Sequence, residues 1–334
     1  MLSGNERQNE IKRRSSAGSA ELPTIGGNVK SLVTLGDRLL VVGDKATYHI
    51  LPPEQVDPNV TAKNVPWVMM EEFAFGASSP IISRTLLQFK NFDSCVQYDK
   101  KIAPLISAQL EKCVHYLTDC QSVLDSYLSE FESVKKEVQS GLSKGGSAIH
   151  LPKVRNYEYL ARSFFYAAKL AFMHSMKMYS QVPDWGSKAE GSIQRIAFAL
   201  ERDDLFAHEF VALIRPFERS AFMVAEIRNA IEHPKKNYFV EFKNVRYMPT
   251  AQLMAPTWTL HHPKISEFSG EIDFAAHAHK IIDMVIEFVE YSLICLLKKC
   301  SVGPFEIEFV EIRDFEQRDP KVRFACNIVL PNNQ

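Results

Sequence analysis

The chain has 334 residues, 46% of them hydrophobic, enough to fill one large core or two ordinary ones. Lysine and arginine number 39 against 40 aspartate and glutamate; the net charge of −1 excludes coating of nucleic acid through bulk charge and leaves only a local patch. The first twenty residues have no apolar run, and the most apolar segment, residues 281–297, holds Asp283, Glu287 and Glu290, so neither a signal peptide nor a membrane span is predicted and the expected location is the cytoplasm.

In chain order, residues 1–28 read as a flexible tail and 29–92 as a β-rich region. Within the latter, Gly36-Asp37 and Gly43-Asp44 punctuate apolar runs and predict a three-stranded meander over 31–51, followed by a proline-rich connector over 52–66. Neither Gly-Asp pair continues into a phosphate loop. Residues 93–148 hold one long helix. Leu110, Cys113, Leu117, Cys120, Leu124, Tyr127, Phe131, Val134 and Val138 alternate steps of three and four, a heptad seam that packs either inside a bundle or against a second chain.

A helical bundle is predicted over 149–300. Its first helix stripes Leu160, Phe164, Ala168, Phe172 and Met176, and the aromatic stripe of that helix reads as core. Its second carries Pro216, where a bend is expected. A β insert at about 237–263 precedes a final apolar helix, and residues 301–334 read as a closing hairpin. The fold class is therefore mainly α, a helical bundle with β-hairpin additions, α+β overall. The six cysteines form no C-x-x-C pair, which argues for buried thiols and against zinc or disulfides.

One segment carries chemistry. In "EIRNAIEHPKK", Glu226 to Lys236, the arc of Phe217, Ala221, Val224, Ile227 and Ile231 is the core face, and Arg228 falls inside it. A buried guanidinium requires a carboxylate, a phosphate or a subunit boundary. Asn229 and His233 share the neighbouring face. Pro234 ends the helix at His233, and Lys235 and Lys236 add positive charge there. A guanidinium for phosphate oxygens and an imidazole for proton transfer suit RNA cleavage without a metal or other cofactor. One imidazole serves poorly as both base and acid, which favours a symmetric homodimer. The plain alternative pairs Arg228 with Glu232 or Glu226 and leaves His233 as a helix end.

The run "RNAIEH" resembles the R-N-x-x-x-H signature of HEPN (higher eukaryotes and prokaryotes nucleotide-binding) domains, over roughly residues 150–300. That resemblance implies a HEPN-like bundle that dimerises face to face and a metal-independent endoribonuclease. It makes Arg228 and His233 catalytic, with Asn229 in support, and Lys235 and Lys236 as RNA-binding residues. It also implies a toxin or antiviral defence effector, with RNA as substrate and an antitoxin or defence component as a further partner. The tyrosine found two residues after the histidine in members silenced by a nucleotidyltransferase is Lys235 here. A non-catalytic HEPN-like module that dimerises or binds a partner or nucleotide is the alternative. Lys243, Arg246, Tyr247 and Trp258 of the insert offer RNA contacts, although a half-buried hairpin is the favoured reading for them. His174, His261, His262, His277 and His279 read as core or loop histidines, not metal pairs.

Overall fold

The computed structural model describes residues 27–57, 59, 67–93, 101–143, 150–203, 208–248, 252–301 and 306–329. The predicted tail up to residue 26 and most of the connector lie outside them.

The meander is present and has a fourth strand. Strands β1 (Val29–Leu35), β2 (Arg38–Gly43), β3 (Thr47–Leu51) and β4 (Val68–Phe73) pair antiparallel in that order. Gly36, at φ 62°, makes the two-residue turn that pairs Leu35 with Arg38, a backbone region that glycine enters without steric cost. Strand alternation sorts the side chains: Val33, Leu35, Leu40, Val42 and Phe73 join the main core, whereas Val41, Ala46, Tyr48 and Ile50 form a small cluster of their own.

From Pro80 on, the region expected to be β-rich is helical. Pro80–Ile82, Ser83–Leu87 and Gln88–Asp93 run on as one helix, α1, with wider π-type turns in the middle. Ile81, Ile82 and Thr85 suggest a strand locally, but Ile82, Leu86, Phe89 and Phe92 recur at helical spacing and bury one face.

The long helix α2 (Ala103–Ser143) buries every residue of the predicted seam. Its partner is α3 (Tyr157–Ser180), packed antiparallel: Gln109 bonds His174, Cys120 faces the Phe164 carbonyl and Tyr127 meets the Tyr157 ring. The seam is thus filled from within the chain. The helix expected to bend at Pro216 breaks there into α5 (His208–Ile214) and α6 (Phe217–Glu232), after a short α4 (Ile193–Glu201). Helix α7 (Phe274–Cys300) is the apolar centre; Phe274 alone touches the rings of Tyr127, Tyr157, Phe164 and Phe165.

The insert forms a sheet of β5 (Phe239–Lys243), β8 (Thr257–His261) and β9 (Ile272–Asp273), with β6 (Arg246–Tyr247) and β7 (Leu253–Met254) pairing beside it. Asn244 fastens it to the approach to α3: its Oδ1 accepts from the Val154 amide at 3.0 Å and its Nδ2 donates to the Val154 carbonyl at 2.9 Å. The closing hairpin is β10 (Glu306–Glu311) against β11 (Phe324–Val329). One apolar core joins all of these parts, from Val33 to Phe324.

A buried charge ties the ends together. Glu290 of α7 is 0% exposed and accepts two hydrogen bonds from Arg84 of α1, at 2.8 and 2.5 Å, while Arg323 approaches it at 3.4 Å. Gln88 completes the tie by accepting from the Phe324 amide at 2.8 Å and donating to its carbonyl at 2.7 Å. Among the described residues, no helix is long and apolar enough to cross a membrane.

Candidate functional site

Helix α6 presents the motif at its C-terminal end. Phe217, Val224, Ile227 and Ile231 are buried as the arc predicts, and they anchor the helix on the core. Pro234 stops it, because a residue before proline avoids helical geometry; His233 sits at φ −125°, ψ 58°, with its amide bonded to the Asn229 carbonyl at 2.8 Å. Lys235 and Tyr238 then bond each other's backbone, at 2.8 and 3.0 Å, and this tight turn carries Lys235 and Lys236 into solvent beside the helix end.

Arg228 finds the carboxylate that its place in the apolar arc requires. Its Nη2 pairs with Oε2 of Glu232 one turn on, and its guanidinium lies 5.7 Å over the Tyr166 ring of α3. The same Glu232 oxygen stands 4.0 Å from His233 Nε2. On an ideal helix, positions five apart point about 140° away from each other. The length of the arginine, the non-helical His233 backbone and the shared carboxylate bring the two functional groups to one spot. Among the described residues Arg228 Nε is buried without a hydrogen-bond partner, whereas the His233 side chain is 72% exposed.

Asn229 belongs to a second carboxylate. Its Nδ2 donates to Glu226 at 3.4 Å, and its Oδ1 accepts a long bond from Arg228 at 3.5 Å. Glu226 also receives the Tyr238 hydroxyl at 3.2 Å and lies 3.4 Å from His262 Nε2. Burial and the Glu226 charge push the Tyr238 hydroxyl up to about 12, so it stays a donor.

Helix α3 supplies the opposite wall. Arg162 donates to the Ile231 carbonyl at 3.2 Å, capping the end of α6, while its Nη2 holds Glu158 at 2.6 Å. Lys169 has its pKa lowered by partial burial and then by the Arg228 guanidinium, a sign that the two positive charges are neighbours. Among the described residues no ion pair engages Lys169, Lys235 or Lys236.

The insert does not offer what its composition suggests. Trp258 is 0% exposed, packed against Phe165, Phe268 and His277. Lys243 and Arg246 both hold Glu271, which is drawn down to about 2 by those two partners. The half-buried hairpin is what forms. Two exposed aromatics lie instead on α3, where Tyr159 is 70% and Tyr166 47% exposed beside the buried Phe164 and Phe165. A pattern of bare aromatics does not separate these from core positions, and tyrosine in place of phenylalanine is no guide either, because Tyr157 and Tyr179 of the same helix are buried.

For metals, the described residues that converge with suitable donors are Glu72 of β4 and Glu111 and His115 of α2, all donor atoms within 4.8 Å of one another. The Arg38 guanidinium lies against both carboxylates and His115 Nε2 lies 2.9 Å from Glu72, so the chain supplies its own cation there. No known protein family, curated protein or solved structure matches this chain.

Proposed function

We propose that the chain is a HEPN-like, metal-independent endoribonuclease that acts as a homodimer in the cytoplasm. The observation that supports it is the convergence of Arg228 and His233 on one carboxylate oxygen at an open helix end. A group that an arginine and an imidazole both approach, with Lys169 beside Arg228 and the exposed Lys235 and Lys236 following His233 in the chain, is where a phosphate oxygen fits. Glu232 is then the anion that a phosphodiester displaces.

In the reaction the ribose 2'-hydroxyl loses its proton and bonds to phosphorus, the bond from phosphorus to the 5'-oxygen breaks, and that oxygen gains a proton. The products are a 2',3'-cyclic phosphate and a 5'-hydroxyl. Arg228 neutralises charge on the phosphoryl oxygens, Asn229 orients the ribose or the scissile phosphate, and His233 moves a proton. The second proton-transfer group comes from His233 of a second copy. A toxin or antiviral effector, held in check by an antitoxin or a defence-system component, is the biological role that this chemistry fits.

A second reading has its own observation: Arg228 is already neutralised by Glu232, as expected of a non-catalytic HEPN-like module that dimerises or binds a partner or a nucleotide. Purified protein and His233→Ala, incubated with total cellular RNA in EDTA, separate the two. Cyclic-phosphate ends produced by the wild type and missing with a folded variant support the nuclease. Equal cleavage by both removes His233 from the mechanism, and a biological effect that survives His233→Ala favours the module.

A further inference from the structure

Helix α3 carries a feature that cleavage chemistry alone does not use. Tyr159, Arg162, Tyr166 and Lys169 fall within about 80° of one another around an ideal helix, so they form a single stripe of alternating aromatic and basic side chains. The two tyrosines are 70% and 47% exposed, the latter even with Arg228 above its ring. The stripe is held in register with the motif by the Arg162 bond to the Ile231 carbonyl at 3.2 Å and by the contact of Tyr166 with Arg228. Its acid, Glu158, is engaged by Arg162, which leaves Lys169 at one end and Lys235 and Lys236 beyond the motif without an ion pair among the described residues.

Single exposed aromatics are ordinary, but two tyrosines on one stripe interleaved with basic side chains offer ring faces and positive charge together, and an apolar partner protein would not call for so many unneutralised cations. Bases stack on aromatic faces and phosphates follow positive charge, the combination by which single strands are held without regard to sequence. The tyrosines are two turns apart, about 10 Å along the axis. That separation exceeds the rise between stacked bases, so the bases on them must be splayed, which a duplex does not allow.

We propose that the Tyr159–Arg162–Tyr166–Lys169 stripe is a track for single-stranded RNA that leads the strand to the phosphate site at Arg228; it rests on the ribonuclease reading for its substrate. The test is fluorescence anisotropy with fluorescein-labelled 12-nucleotide oligouridine and oligoadenosine, in a His233→Ala background that cannot cut. Tyr159→Ala and Tyr166→Ala are each expected to weaken binding about tenfold, Tyr166→Phe to restore it, and a blunt RNA duplex of equal length to bind far less. Affinity unchanged in both alanine variants, or no binding by the parent, overturns the track. A change in sedimentation coefficient in the alanine variants also overturns it, because the stripe is then a protein–protein face. Since binding is measured without cleavage, a tyrosine-dependent track in a chain that never cuts RNA supports the track and sinks the nuclease. Cleavage with tyrosine-independent binding does the reverse.

Discussion

Arg228 and Glu232 are paired across one turn of α6, and the pair is partly exposed, at 20% and 31% of the side chains. An exposed i, i+4 pair of this kind contributes under about 1 kcal/mol to stability. On the ribonuclease proposal its functional weight is larger, because the carboxylate occupies the arginine that a phosphate would need. Glu232→Gln removes the negative charge and keeps the shape. It is expected to leave the melting temperature within a few degrees of the parent's and to tighten short-RNA binding about fivefold in the His233→Ala background, equivalent to about 1 kcal/mol. Unchanged or weaker binding would show that Glu232 is not the displaced anion.

Glu290→Gln tests the buried tie between α1, α7 and β11. The variant leaves Arg84 and Arg323 beside a neutral amide in a site where the acid is 0% exposed. Breaking a buried pair by removing one partner costs about 3–5 kcal/mol, but burial raises the Glu290 pKa, so the charge that is removed carries a penalty of its own, and Arg323 keeps Glu311 and Glu287. Urea unfolding should show a net loss of about 1–3 kcal/mol; no loss would mean that the buried charge stabilises nothing.

His277 gives stability a pH dependence. Burial depresses its pKa to about 4 from 6.5, with Lys280 assisting, so the folded chain holds it neutral. The unfolded chain binds that proton first, and stability is lost as pH falls from 6.5 towards 4. His174 carries the same sign, lowered to about 4 by burial first and then by Lys177 and Lys112. The acid Glu290, raised by burial, has the opposite slope, so the measurement is a difference: Tm against pH for wild type and His277→Gln. The variant's curve should be flatter between pH 6.5 and 4. Parallel curves would place the imidazole in contact with water.

Trp258 separates fold from RNA contact. A ring 0% exposed among Phe165, Phe268 and His277 serves the core. Trp258→Phe is expected to lower stability by about 1–3 kcal/mol and to leave RNA affinity unaltered at a temperature where the variant is folded. An affinity loss with the fold intact would return the insert to the RNA surface.

Periodicity made the frame legible. The α2 seam was readable because steps of three and four report burial whichever element fills the groove, and for the same reason they could not name α3 as the filler. The meander declared itself through Gly36-Asp37 and Gly43-Asp44, while β4 did not, since "VMMEEF" exposes Met70 and Glu71 and owes its pairing to β3. At the candidate site, the apolar arc around Arg228 required an anion, and Glu232 was one of two nearby choices. Its bridging of Arg228 and His233 depends on the His233 backbone angles, which no spacing rule supplies. Helix α1 lies inside the region read as β-rich, although Ile82, Leu86, Phe89 and Phe92 recur at helical spacing. Tyr159 and Tyr166 were missed because a helix's aromatic stripe does not say which ring faces out.

The Glu290 tie also constrains how the motif region can be used apart from its surroundings. The acid lies on α7, inside residues 149–300, but both of its arginines lie beyond that span, at Arg84 and Arg323. A fragment cut to the motif-bearing helices would carry a bare carboxylate in its centre and lose α2 from its largest interface. Trimming towards the motif-bearing helices alone therefore removes the counter-charges before it reaches the motif. The two flanks are structural members of the same fold, and sequence drift at either end must answer to a carboxylate in the middle.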